Sequence, residues 1–200
     1  MIIFWKERLV MLAVPKTGTS AYAKALADRA GLIVQDPPEL KHAPVYRYNR
    51  FFRPMLEKVG ADHMDMMAVV REPVSWLGSW YRYRQRPFLD GKPGSTKSVT
   101  FDEFVRAYCM DQRPAFANVG SQAKFVEPRP NGTKVSHLFQ YEDQPKILGF
   151  LEDRLQTKIT LPQVNVSPSM PLELTGATRD LLAQTCPDEF TIWRSAKGAL

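Results

Sequence analysis

The sequence predicts an α/β layer fold with a mainly parallel central sheet. Residues 9–14 (LVMLAV) and 66–70 (MMAVV) are apolar runs without polar alternation, as expected of strands covered on both faces. Each gives way to a short loop and then a helical pattern, and residues 135–140 begin the same sequence of elements a third time. Strands alternating with helices specify packed layers rather than a sandwich or a bundle.

The elements follow in order. Residues 20–30 (SAYAKALADRA) place Tyr22, Ala25, Leu26 and Ala30 near helical spacing, and Gly31 ends the pattern. Asp36-Pro37-Pro38 is a loop. Residues 46–59 read as a basic amphipathic helix stopped at Gly60. A helix is predicted over 73–84, with Pro73 in its first turn, where a missing N–H costs nothing. Residues 86–98 form a long Gly/Pro/Lys/Ser loop. Thr100, with Glu103 three residues on, forms a capping box that starts a helix over 101–110. Further helices are expected over 143–155, 178–186 and 187–196, and a short strand over 159–161. The 200 residues suit a single domain, 1–200, of a size that supports its own core.

Composition excludes several classes. An apolar fraction of 44% and a charged fraction of 24% are those of an ordinary globule. The apolar N-terminal stretch is broken by Lys6, Glu7 and Arg8, which fits neither a membrane span nor a signal peptide. A cytoplasmic location is expected. Two cysteines, Cys109 and Cys186, give neither a disulfide framework nor metal spacing. A net charge of +6 favours an anionic ligand.

Two loops carry chemistry. Pro15-Lys16-Thr17-Gly18-Thr19-Ser20 leaves one strand and enters a helix. Its backbone N–H groups and the helix start can cradle a phosphate or sulfate. Gly18 allows close approach, Thr17, Thr19 and Ser20 add hydroxyls, and Lys16 adds charge. This is not the GxxxxGK[ST] phosphate loop, because Lys16 precedes the only glycine. The second loop opens at Arg71. Pro73 starts a helix, and Ser79 follows eight residues after Arg71, so guanidinium and hydroxyl can share one phosphate. Trp76, Trp80 and Tyr83 are expected in the core, with one of them free to stack on a base.

Together, AVPKTGTSA and VVREPVSWLGSWY resemble the 5′-phosphosulfate loop and the 3′-phosphate motif of sulfotransferases. LFQYEDQPKILGFLEDRL is similar to that family's strand, Tyr-Glu-Asp turn and helix, and Asn165 to Ser167 to its late Asn-x-Ser. The resemblance runs from residue 9 to about 195. It implies a three-layer P-loop-NTPase-like fold and use of 3′-phosphoadenosine 5′-phosphosulfate (PAPS) without a metal. It also implies transfer of a sulfuryl group to a hydroxyl or amine of a carbohydrate or small metabolite, leaving adenosine 3′,5′-bisphosphate. Pro15, Lys16, Thr17, Gly18, Thr19, Ser20, Arg71 and Ser79 would hold the nucleotide. Ser75 and Trp76 stand where many members carry arginine, and the glycine-rich basic C-terminal motif is missing. These departures bring the chain closer to the bacterial and carbohydrate-modifying branch, without its membrane anchor.

The acceptor needs a base. His42, in Glu39-Leu40-Lys41-His42, resembles the segment that supplies it in some sulfotransferases, with Lys41 assisting at the sulfuryl group. Glu39 and Asp36 are alternatives, because other members use a carboxylate. His63 and His137 read as surface or core histidines, and Glu142 as a helix-start carboxylate. Gln122 is a further candidate contact to acceptor or cofactor. Arg47, Arg50, Arg53, Lys92 and Lys97 read as a solvated charged face, or as a site for an anionic acceptor. Two other functions remain open: a nucleotide kinase or hydrolase using magnesium and ATP, and a non-enzymatic polyanion-binding module with salt-sensitive affinity. A nucleotide cosubstrate and an acceptor are the expected partners, with no nucleic acid and no membrane span.

Overall fold

The protein is described by a computed structural model covering residues 1–162 and 170–199. Its centre is a six-stranded sheet of order β3-β1-β2-β4-β5-β6. β2 (Leu9–Met11), β4 (Asp65–Val70) and β5 (His137–Gln140) are adjacent and parallel. β1 (Ile2–Phe4) and β6 (Lys197–Ala199) run against them, and β3 (Leu32–Ile33) pairs antiparallel to β1, so the sheet is mixed. The expected parallel centre is present, flanked by antiparallel edges.

The period-2 geometry of the strands divides their side chains between two cores. Val10, Leu12, Met66, Ala68, Val70 and Leu138 face one side. There they meet α3 (Val45–Arg47), a π-helical turn (Tyr48–Phe52) and α4 (Arg53–Lys58) through Val45, Tyr48, Phe52 and Leu56. Leu9, Met11, Met67, Val69 and Phe139 face the other side. There they meet α1 (Thr19–Ala25) through Tyr22, and α8 (Gln144–Leu155) through Ile147, Leu151 and Leu155. Helix, sheet and helix thus form three layers. A third core joins α5 (Pro73–Tyr83), α6 (Phe101–Tyr108) and α9 (Gly176–Thr185) beside the sheet. Two further α-helices are α7 (Gln122–Val126) and α10 (Pro187–Ser195).

Several local expectations change. The Lys6-Glu7-Arg8 interruption is the turn of a hairpin that joins β1 to β2, with Arg8 at φ 52°. The first helix ends at Ala25, five residues early. Residues 159–161 form no strand, because the Ile159 N–H is taken by the Glu152 carboxylate at 2.8 Å rather than by a strand neighbour. The loop read at Asp36-Pro37-Pro38 passes directly into a short helix, α2 (Pro38–Lys41). The capping box at Thr100 and Glu103 forms as expected, a feature worth about 1 kcal/mol. Asn165 to Ser167 lie outside the described residues. Among the described residues, no helix is long and apolar enough to cross a membrane.

Candidate active site

Both candidate loops leave the carboxyl ends of neighbouring parallel strands, β2 and β4. In open α/β sheets this is where ligands bind. Lys16 at φ 68° and Gly18 at φ 76° are both left-handed, so the loop folds into a tight nest of N–H groups. For the lysine this backbone is strained, as is common at ligand clamps. A Cβ on Gly18 would lie 3.4 Å from the Tyr141 ring, so the turn lies closely against that tyrosine.

The Lys16 ammonium lies 4.1 Å from the Tyr83 ring centroid and 5.5 Å from that of Trp80, both on α5. Its pKa is lowered to about 8, chiefly by burial and then by Arg86, Arg71 and Arg82 in that order. Arg71 donates Nε–H to Ser75 Oγ at 2.8 Å and lays its guanidinium 4.5 Å from the Tyr141 ring centroid. Ser75, Ser79 and Tyr83 repeat every four residues along one stripe of α5. The anchors of the two cations are thus about 12 Å apart along that helix, with the buried Ser79 midway. None of Lys16, Arg71, Arg82 or Arg86 forms an ion pair among the described residues. The buried Trp80 indole N–H has no acceptor there either.

Other loop residues have structural duties. Thr17 donates its hydroxyl to Val14 O at 2.8 Å, which removes that proton from the donors expected to face an anion. Pro15 O accepts from the Trp76 indole at 3.0 Å, and Thr19 is buried.

His42 faces a cavity of about 710 Å³ next to this loop, walled also by Pro15, Trp76, Tyr108, Gln122 and Glu189. Its Nδ1 lies 2.7 Å from Ala13 O and donates there, which leaves Nε2 as the acceptor nitrogen. Burial lowers its pKa, and Lys41, the N-terminal ammonium and Lys16 lower it further. The Ala13 contact opposes them. His42 is therefore neutral at pH 7. Lys41 parts from its neighbour: it lines a second cavity, of about 400 Å³, with Thr19, Ser20 and Lys24. Glu39 and Asp36 are exposed and do not line the His42 cavity.

Gln122 takes a role the sequence only hinted at. Fully buried, it receives the Arg71 N–H at Oε1 and donates Nε2–H to Arg71 O, both at 2.8 Å, and so fixes the tip of β4. The buried Glu189 holds the start of α7 by accepting the Gln122 N–H at 3.1 Å. Burial raises the pKa of Glu189. Glu142 accepts the Glu72 N–H at 2.9 Å and the Trp193 indole at 3.1 Å, so it supports the start of α5 as well as α10. The basic residues on α3 and α4 are largely tied up: Arg53 bonds Glu57, Asn49 and Thr133, and Arg47 bonds Glu39 O. Lys97 pairs with Asp90 at 2.6 Å. His63 is exposed beside Asp65, and His137 packs on Phe150. Tyr141 and Glu189 were not assigned to this site from the sequence, where the Tyr-Glu-Asp turn was the signal for Tyr141.

Comparison of the chain with known protein families, curated proteins and solved structures finds no match. Among the described residues, no cluster of His, Cys, Asp and Glu is arranged to hold a metal ion.

Proposed function

We propose that the chain is a PAPS-dependent sulfotransferase of the P-loop-NTPase-like type, with an acceptor hydroxyl or amine seated in the His42 cavity. The observation that carries this reading is the pair Lys16 and Arg71. They stem from adjacent strand ends, lie along one stripe of α5 and have no carboxylate partner among the described residues. Such a site matches a nucleotide with an anionic group at each end of its ribose: Arg71 and Ser79 at the 3′-phosphate, Lys16 and the nest at the 5′-phosphosulfate.

In the proposed reaction the acceptor oxygen or nitrogen attacks sulfur in line. The bond from sulfur to the bridging phosphate oxygen breaks, and the electron pair stays on that oxygen. Lys16 stabilises the charge that grows there, and His42 Nε2 takes the acceptor proton. The products are the sulfated acceptor and adenosine 3′,5′-bisphosphate. The reading is tested by following labelled sulfate from PAPS into an extract of small metabolites and saccharides. Transfer by the wild-type chain, lost in Lys16→Ala, supports it; no transfer into any fraction contradicts it.

Nucleotide affinity has a defined pH window. Bound anion favours the ammonium form of Lys16 and so raises a pKa that is about 8 in the free protein. Affinity is then full below that value and falls as pH rises through it. Below about pH 6 it falls again, as the phosphates of the ligand take up protons. Isothermal titration with adenosine 3′,5′-bisphosphate from pH 5 to 10 is expected to show this maximum. Affinity that stays constant between pH 7 and 10 removes Lys16 from the site.

A further inference from the structure

Cys109 caps the C-terminal end of α6, and Cys186 stands at the junction where α9 ends and α10 begins. They are the only cysteines in the chain. Their helices pack in one core, both thiols are free and half-buried, and both line the 710 Å³ cavity. Both side chains pack against that one core cluster and stand in the same stretch of cavity wall, which puts each thiol within side-chain reach of the other. Arg113 faces the same pair while stacking 3.8 Å from the Tyr108 ring centroid.

We propose that Cys109 and Cys186 form a dithiol site that a low-molecular-weight disulfide of the glutathione class oxidises to an intramolecular bridge in the cavity wall. Cys186 is the attacking sulfur. The neighbouring Cys109 thiol and the Arg113 cation favour its thiolate, whereas the adjacent Cys186 and burial keep the proton on Cys109. The Cys186 thiolate attacks one sulfur of the small disulfide. Its S–S bond breaks, one thiolate leaves, and a mixed disulfide remains on Cys186. The leaving thiolate takes the Cys109 proton. Cys109 then attacks the Cys186 sulfur and expels the second small thiolate, which picks up a proton from water that balances the one lost from Cys186. Two protein thiols are oxidised, one small disulfide is reduced to two thiols, and α6 becomes tied to the α9–α10 junction.

The test is incubation of the native chain with glutathione disulfide, followed by intact-mass and peptide mass spectrometry. The expected product is a monomer lighter by two hydrogens, with the Cys109 and Cys186 peptides joined. Cys109→Ser is expected to stop at a stable mixed disulfide on Cys186. Brief iodoacetamide treatment of the reduced native protein is expected to label Cys186 faster than Cys109, by on the order of tenfold. Glutathione on both cysteines of one molecule, a disulfide-linked dimer, no oxidation, or equal alkylation rates would overturn the proposal. The wild-type measurements decide the matter even if the serine variant folds poorly. Because they involve neither nucleotide nor acceptor, their failure is separable from failure of the sulfotransferase reading.

Discussion

Lys16→Ala is expected to lower kcat/KM for PAPS by about 10²- to 10³-fold, the usual effect of removing one preorganised donor from a developing oxyanion. The ammonium is held in place by the Tyr83 and Trp80 rings, at 4.1 and 5.5 Å from their centroids, so little reorganisation precedes reaction. Those ring contacts are worth about 1–2 kcal/mol each in a half-buried setting, and relief of the buried charge offsets part of their loss. Thermal stability of the variant is therefore expected to stay close to wild type. Steady-state kinetics beside a melting curve checks both halves: a large kinetic loss with unchanged melting fits the proposed role, and an equal loss of both points to a structural lysine.

His42→Ala is expected to lower kcat by about 10²- to 10⁴-fold, the range for a positioned general base. Affinity for adenosine 3′,5′-bisphosphate should remain near wild type, because His42 faces the cavity and bonds Ala13 O rather than the cation pair. In the wild-type chain the rate should fall below pH 6.5. His42 acts when unprotonated, and its pKa is lowered by burial and by the surrounding cations. Glu39→Gln and Asp36→Asn should leave kcat unchanged, since both side chains are exposed and do not line that cavity. A pH–rate profile on the four proteins decides which group is the base. Loss of activity in either carboxamide variant, with His42→Ala active, would reassign it.

The parts of this arrangement that were legible in the sequence are local. The runs at 9–14 and 66–70 reveal strands covered on both sides, and the loops that follow them mark the candidate site for an anion. Thr100 and Glu103 mark a helix start by their spacing alone. What was hidden depends on distant segments meeting. β3 and β6 are two and three residues long, too short to show an alternation, and α7 has five residues. The Lys6-Glu7-Arg8 triplet looked like an interruption because a charged hairpin turn and a charged break read alike. The clamp of Gln122 on Arg71 joins positions 51 residues apart, and the Glu189 contact to Gln122 joins positions 67 apart. No pattern within one segment encodes either. Thr17 illustrates the converse: its hydroxyl counts as a donor in the sequence, yet the loop turns it inward to Val14 O.

The central claim is that Arg71 and Lys16 hold two anionic groups of one nucleotide. The most direct measurement is isothermal titration of wild type and Arg71→Ala with adenosine 3′,5′-bisphosphate and with adenosine 5′-monophosphate, each with and without magnesium. A charged hydrogen-bonded contact of this kind is worth roughly 1.5–3 kcal/mol, or about ten- to a hundredfold in affinity. The expected result is that wild type prefers the bisphosphate by that factor without magnesium, and that Arg71→Ala binds both nucleotides alike at the weaker level. A variant that keeps the wild-type preference, or affinity that appears only with magnesium, would contradict it.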